Sequence, residues 1–152
     1  MNPEEILRNE GLELPTTGAP VANYVRAVRA GSLVFVSGHG PMVDGKPAIT
    51  GKLGADLDLM AGRKAAEIVT LNILATLKAE LGDLSRVKRF VKLLVMVNAT
   101  PEFTDHPKVA DGSTDLLVMV FGEAGRPARS AVGMSSLPFD IAVEIEGVVE
   151  VV

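Results

Sequence analysis

The sequence predicts a single α+β domain, and three observations support this fold class. The chain has 152 residues, a length that fits one compact domain. Segments with helical periodicity lie between segments of strand character. Hydrophobic residues make up 47% of the chain and charged residues 22%, which is enough apolar material for a packed interior and favours a buried subunit interface. We expect residues 1–152 to form one domain, with residues 1–20 as an N-terminal helix and loop extension.

The predicted elements are three helices and six strands, bounded by capping residues, glycines and prolines. In chain order they are a short helix that begins at Asn2 and Pro3 and ends at Gly11, strands at 24–29, 32–37 and 46–50, a long helix at 58–81, a strand at 86–97, a second helix at 107–121, and strands at 129–134 and 141–152. Ala30-Gly31 predicts a hairpin turn between the first two strands. Strand 86–97 is apolar enough to lie inside the sheet.

The last two predicted strands carry the most informative charges. In the final strand the odd positions are apolar, so Glu144, Glu146 and Glu150 point away from the helices. In the strand before it, Arg129 and Ala131 share one face. We expect Arg129 to point the same way as Glu144. A hairpin would set the two residues opposite one another, but the sequence does not show whether these strands pair.

Arg129 and Glu144 each allow a structural and a functional interpretation. The guanidinium of Arg129 is either part of a structural ion pair or a receptor that holds a carboxylate through two parallel hydrogen bonds. Glu144 is either a solvated acid or a base that directs water at an electrophilic carbon. From the residue types alone, the structural interpretation is favoured for both.

Other chemistry-bearing residues also remain open to two interpretations. Ser37-Gly38 and the next residues end a strand with two glycines, which either admit a ligand close to the backbone or form a tight turn. Tyr24 is the only tyrosine, and its hydroxyl either donates to a ligand or caps the edge of the sheet. His39 and His106 are the only histidines and lie far apart in sequence, so no metal site is expected.

The composition limits which cellular compartments and which partners are expected for the protein. The absence of cysteine excludes a disulfide framework, a thiolate nucleophile and cysteine-ligated metals. The polar N-terminus lacks the features of a secretory signal, and no apolar run approaches a membrane span, so we expect a cytoplasmic protein. A net charge of -4 disfavours attraction to a phosphate backbone, so nucleic acid is not an expected partner.

Three segments together resemble the RidA/YjgF family of small trimeric proteins. They are NYVRAVRAGSLVFVSGHGP, LNILATLKAELGDLSRVKR and PARSAVGMSSLPFDIAVEIEGVVEV. The ARS…LP…VEIE arrangement is the most specific part, because Arg129 and Glu144 keep the family's spacing. The resemblance implies a chorismate-mutase-like fold, in which a mixed six-stranded sheet carries two main helices on one face. It also implies a homotrimer with clefts between the subunits.

The resemblance further implies an enzyme that hydrolyses small reactive 2-imino or enamine acids to 2-keto acids and ammonia, without a cofactor. The partner is then a small carboxylate molecule that binds in the intersubunit cleft. The implied roles are carboxylate binding by Arg129, positioning of water by Glu144, a catalytic contribution from Tyr24, and substrate contacts from Ser37, Gly38 and the backbone around Ala131.

Several departures from the family pattern indicate a divergent branch. His39 stands where the family usually has glutamine, and Ala131 stands where it often has cysteine. The N-terminal helix is additional, and the loop and helix before the PARS segment are longer. The alternative interpretation is therefore a module that binds or senses a small carboxylate without turnover. An endoribonuclease, the third interpretation, fits an acidic chain with few aromatic residues least well.

Overall fold

The computed structural model describes residues 1–20 and 22–152 and confirms the α+β class. Its elements are α1 (Pro3–Asn9), β1 (Ala27–Ala30), β2 (Leu33–His39), β3 (Met42–Val43), β4 (Lys46–Pro47), α2 (Leu59–Leu81), β5 (Val87–Asn98), α3 (His106–Phe121), β6 (Ala128–Met134) and β7 (Val143–Val151). Short 3-10 turns follow α2, α3 and β6. The main sheet has the strand order β1-β2-β7-β5-β6, in which β5 and β6 are parallel and the other neighbours are antiparallel.

The main sheet has five strands rather than the predicted six. The segment expected as a third strand, Lys46–Pro47, pairs instead with Met42–Val43 in a separate two-stranded sheet. Proline has no backbone N–H to donate to a further strand, and the tight turn at Asp44-Gly45 keeps this hairpin local. The expected hairpin of β1 and β2 is confirmed, although β1 begins at Ala27 and leaves Tyr24 outside the strand.

Local signals in the sequence define the helix ends. At α1 the side chain of Asn2 accepts a hydrogen bond from the Glu5 amide at 2.9 Å, and the Glu5 carboxylate accepts one from the Asn2 amide at 3.0 Å. At α2 the Asp58 side chain accepts from the Ala61 amide at 2.8 Å. Gly82 ends α2 with a φ of 85°, a left-handed conformation that suits glycine. The predicted helix starts are therefore confirmed to within one residue.

The core lies between the helices and one face of the main sheet, which we call the helix side. The predicted long helix is confirmed as α2, and its buried side chains pack on odd-numbered residues of β5 and β7. Fully or nearly fully buried members include Ala66, Val69, Ile73, Leu77 and Leu81 of α2, Leu93, Val95 and Val97 of β5, and Ile145, Val149 and Val151 of β7. This packing fixes which face of every strand meets the helices.

The opposite face of the sheet, which we call the outer face, is partly apolar. It carries Val28, Phe35, Leu94, Met96, Val132, Glu144, Glu146 and Val148. Phe35 is 48% exposed and Val28 is 53% exposed. The predicted orientation of the glutamates of β7 is confirmed. Neighbouring exposed apolar side chains of this kind are typical of a surface that another protein covers.

In the part of the chain that the structure describes, no helix is both long enough and apolar enough to cross a bilayer.

Candidate functional site

Arg129 lies on the helix side of the sheet, so the prediction that it points the same way as Glu144 is wrong. In the parallel pair of β5 and β6, Arg129 stands opposite Leu93, a buried residue that faces the helices. Its Nη1 donates to Asp111 Oδ1 at 2.8 Å and to Thr114 Oγ1 at 3.0 Å, both on α3. β5 lies between β6 and β7, so the face on which Arg129 lies relative to Glu144 depends on the register of β6 against β5 and of β5 against β7. Alternation within each strand does not reveal these two registers.

The Arg129 cluster, which consists of Arg129, Asp111 and Thr114, leaves part of the guanidinium open. Across the described residues, Nε and Nη2 of Arg129 make no hydrogen bond, and the side chain is 23% exposed. The Thr114 hydroxyl donates to the Ala110 carbonyl at 3.5 Å, which leaves its oxygen free to accept from Nη1. Arg129 is therefore held from one side, while its Nε–Nη2 edge remains able to bind a carboxylate through two hydrogen bonds.

Ala131 lies two residues further along β6, is half-buried and faces the helix side with Arg129. β6 is an edge strand of the main sheet, so the backbone groups on its open side have no strand partner within the described chain. These groups are available to a ligand or to a neighbouring subunit. The predicted substrate-binding residues of β6 therefore share one accessible edge.

Glu144 forms a second cluster, on the outer face, with Ser37 and Gly38. The Glu144 carboxylate packs so closely on the Gly38 backbone that a Cβ at Gly38 would collide with Oε2. Burial raises the pKa of Glu144, and the neighbouring carboxylate of Glu146 raises it further. Ser37 Oγ donates to the Arg26 carbonyl at 3.0 Å, which ties this strand end to the segment before β1. The structure thus brings together three of the predicted site residues.

A β-bulge in β2 explains how Gly38 reaches Glu144 while His39 is buried on the helix side. His39 Nδ1 lies 2.6 Å from the Ser37 carbonyl, and Nε2 lies 2.8 Å from Thr76 Oγ1 of α2. A neutral ring that donates from Nδ1 and accepts at Nε2 satisfies both contacts. Burial lowers the pKa of His39, which favours this neutral form. His39 therefore links α2 to the backbone that supports Glu144.

Among the described residues, Tyr24 and His106 make no hydrogen bond with either cluster. Tyr24 is 49% exposed and precedes β1. His106 begins α3, where its ring packs against Gly133 and edge-on against Phe103. Within the described ranges, no three His, Asp or Glu side chains converge as a metal site would require.

Two cavities of about 480 and 530 Å³ lie elsewhere on the described surface. The first is lined by Arg63 and Met119 among others, and the second by Lys52 and His106 among others. Arg129 and Glu144 line neither cavity. Within one subunit, these two cavities therefore provide no enclosed pocket for either predicted residue.

The sequence did not point to Asp111 and Thr114. The available signal was their spacing, since residues three apart on a helix lie on one side of it. Their proximity to Arg129 depends on the parallel pairing of β5 with β6, for which α3 is the connecting helix. Neither periodicity nor composition indicates that pairing.

Comparison with known proteins identifies the family. The family model described as "YjgF/chorismate_mutase-like, putative endoribonuclease" matches residues 4–146. The chain belongs to the YjgF/RidA family. Protein TCP17 of Trypanosoma cruzi is 47% identical over 95% of this chain and 91% of its own length. The 2-iminobutanoate/2-iminopropanoate deaminase of Salmonella typhimurium is 34% identical over 89% of this chain and 94% of its own length.

A solved structure supports the same conclusion. The crystal structure of protein Atu1372, of unknown function, from Agrobacterium tumefaciens has a TM-score of 0.93 and 45% identity, and the match covers 99% of this chain and 92% of that one. The predicted resemblance and fold class are thereby confirmed. The YjgF/RidA family includes proteins named imine deaminases, whereas the name TCP17 states no activity. The chemistry of this member has to be argued from its own site.

Proposed function

We propose that the protein hydrolyses small reactive 2-imino acids to 2-keto acids and ammonia in clefts between the subunits of a homotrimer. The main observation in support is the open Nε–Nη2 edge of Arg129 beside an edge strand, since this edge fits a substrate carboxylate. In the reaction, water adds to the carbon of a protonated imine, the C–N bond breaks, and a 2-keto acid and an ammonium ion leave. No oxidation or reduction is involved, so side chains and water suffice.

The placement of Arg129 and Glu144 favours a cleft between two subunits. The two residues lie on opposite faces of one sheet, on strands separated by β5 and therefore about 10 Å apart. One subunit can hardly present both to a small substrate. If one subunit contributes Arg129 and its neighbour contributes Glu144, a closed ring contains equivalent clefts. The apolar outer face, with Phe35 and Val28, provides surface for such an assembly.

Each side chain then has a defined role. Arg129 orients the substrate through its carboxylate, while Ala131 offers backbone groups on the same edge. Glu144 of the neighbouring subunit accepts a proton from the water that attacks the imine carbon. Its raised pKa makes it a stronger base than a solvated glutamate. Ser37-Gly38 lines the cleft beside Glu144, and the exposed Tyr24 donates a hydrogen bond from the same subunit.

The test is an assay in which an amino-acid oxidase releases imino acids and the appearance of 2-keto acid and ammonia is followed. We expect the protein to accelerate this step and Arg129→Ala to abolish the acceleration. Arg129→Lys should also lose most of it, because lysine lacks the planar fork. Arg63→Ala is a matched control, since Arg63 pairs with Asp115 of α3 at 3.1 Å but lies outside both clusters. Absence of acceleration with several amino acids would contradict the proposal.

A second candidate function is carboxylate binding without turnover. It is favoured by the distance of Arg129 from Glu144 within one subunit, because binding needs only the first of them. Titration calorimetry with pyruvate would then give saturable binding that Arg129→Ala removes, while the imine assay gives no acceleration. Ribonuclease activity is less favoured, since Asp111, Glu144 and Glu146 would repel a phosphate backbone near the clusters.

A further inference from the structure

The larger of the two cavities lies at the end of β6, where the loop between β5 and α3 passes close to the strand. We call it the Lys52 cavity, and its lining includes Lys52, Phe103, His106, Gly133, Met134 and Ser135. Neither Arg129 nor Ala131 lines it. Gly133 follows Arg129 at a distance of about 13 Å along the strand. The Lys52 cavity is therefore separate from the carboxylate site proposed at Arg129.

Lys52 brings a positive charge to this cavity, and no carboxylate of the described chain forms an ion pair with it. Its Nζ donates to Asn98 Oδ1 at 2.8 Å and to the Ser135 carbonyl, and both acceptors are uncharged. The carboxylate of Asp140 accepts from the amide nitrogen of Asn98 at 3.0 Å instead. An ammonium group has three N–H donors, so one of them remains for a ligand. Because Lys52 is half-buried, an anion there would compensate a partly desolvated charge.

The rest of the lining does not neutralise this charge. Acidic side chains line the smaller cavity, whereas none lines the Lys52 cavity. Glu102 and Asp105 belong to the same loop but are not part of the lining, and Asp105 lies 3.7 Å from Lys108 Nζ. The chain as a whole has a net charge of -4. A cavity with a lysine and no carboxylate is thus a local positive site on an acidic protein, which favours an anionic ligand.

Phe103, His106 and Met134 give the cavity an aromatic and apolar wall. The rings of Phe103 and His106 meet edge to face, with their centroids 5.5 Å apart. Gly133 makes room for the imidazole, since a Cβ at this position would lie 2.5 Å from His106 Nε2. Such a wall suits the apolar body of a small organic molecule.

We propose that the Lys52 cavity is a second small-molecule site, which binds an aromatic carboxylate. Lys52 donates its remaining N–H to the carboxylate, and the ring of the ligand packs against Phe103, His106 and Met134. One free donor on a single cation suits a singly charged carboxylate better than a phosphate, whose oxygens need several donors. The volume of about 530 Å³ is in the range of small-molecule sites. This site does not depend on the function proposed at Arg129.

Phenylacetate and phenylacetamide test this proposal, because they share an aromatic body and differ in the charge of the group that meets Lys52. Amide chemical shifts in NMR spectra locate the bound molecule. We expect phenylacetate to shift the amides of Lys52, Phe103 and Gly133 saturably, both in the intact protein and in Arg129→Ala protein. Lys52→Met should weaken this binding about ten- to hundredfold, the range for a hydrogen bond to a charged group. Phenylacetamide should bind the intact protein more weakly by a similar factor.

Gly133→Ala is a second variant that leaves the hydrogen bonds of Lys52 in place, so it tests the site even if Lys52→Met fails to fold. Its methyl group displaces the His106 ring from the wall, which should weaken phenylacetate about three- to tenfold. Lys88→Met is the matched control, because Lys88 pairs with Glu150 at 2.9 Å and does not line the cavity. It should leave the affinity unchanged.

Three results would overturn the proposal. They are equal affinity for phenylacetate and phenylacetamide, full affinity in both the Lys52→Met and the Gly133→Ala protein, and the absence of saturable shifts around the cavity. If the shifts lie only around Arg129 and vanish in Arg129→Ala protein, the anion occupies the Arg129 cluster. The second site is then wrong, while the carboxylate binding proposed at Arg129 is supported.

Discussion

The Arg129 cluster and the Glu144 cluster hold their charges in different ways. Arg129 lies on an edge strand, on the helix side, and polar contacts from α3 position its guanidinium. Glu144 lies on the central strand β7, on the outer face, and is positioned by packing on the Gly38 backbone. The first charge is neutralised in part by a counter-ion, whereas the second is partly desolvated. Under the proposed function, each cluster is half of a site, and a complete site combines the two halves from different subunits.

The largest expected effect comes from a complementation experiment. Arg129→Ala and Glu144→Gln should each reduce imine hydrolysis at least about a hundredfold, because each removes one half of the site. Refolding the two variants together should restore activity. About one cleft in four would then contain both intact side chains, since each cleft draws on two subunits. The measurement is the rate of the mixture relative to that of the unmutated protein.

The control for this experiment is each variant refolded alone at the same total protein concentration. If the mixed protein stays as inactive as the separate variants although it has assembled, then Arg129 and Glu144 do not serve one cleft from two subunits. Sizing chromatography of the intact protein provides the companion measurement. A monomer at micromolar concentration would be incompatible with a shared cleft.

Gly38→Ala is expected to reduce activity about ten- to hundredfold with little loss of stability. The new methyl group meets the far end of the Glu144 side chain, which is flexible and can swing away. The carboxylate is then displaced while the fold remains intact. Gly18→Ala is the matched control, because a Cβ there meets nothing within 4 Å. A Gly38→Ala protein with full activity would show that the position of Glu144 is unimportant.

His39→Gln tests the link between α2 and the bulge through the pH dependence of stability. The pKa of His39 is lowered in the folded state, so the unfolded chain takes up the proton more readily. Stability from the neutral ring is thus complete above a pH of about 6.5 and is lost as the pH falls towards the folded pKa. Glutamine does not titrate. Urea unfolding should therefore show the unmutated protein losing stability relative to the variant below this pH, and parallel curves would refute the assignment.

The smallest expected effect is that of Glu144→Gln on the pH dependence of folding stability. The pKa of Glu144 is raised in the folded state, so the folded chain binds its proton more readily than the unfolded chain does. Stability of the unmutated protein should therefore fall slightly as the pH rises from the ordinary glutamate range through the folded pKa. Glutamine removes this penalty. Melting curves should show an advantage of the variant that is absent at low pH and constant once Glu144 is ionised, and an advantage that grows on acidification would reverse the sign.

Much of the fold could be predicted from the sequence, because its signals are local. Asn2 and Asp58 cap helices that begin at the following residue, and alternation in β7 correctly assigned Glu144 to the outer face. The face of Arg129 could not be predicted, since it depends on the register of β6 against β5. Asp111 was missed for the same reason, because only the parallel pairing brings α3 next to Arg129. The roles of Arg129, Glu144, Tyr24, Ser37, Gly38 and Ala131 remain predictions.

The open edge of β6 has a consequence for the solution behaviour of the protein. An uncovered strand edge is a template to which any extended chain can add, and folded proteins normally block such edges with charge, proline or a covering element. Here Pro127 lies only at the start of β6, and the remainder of this edge has no strand partner within the described chain. If neighbouring subunits cover this edge, variants that cannot assemble should tend to aggregate rather than accumulate as stable monomers.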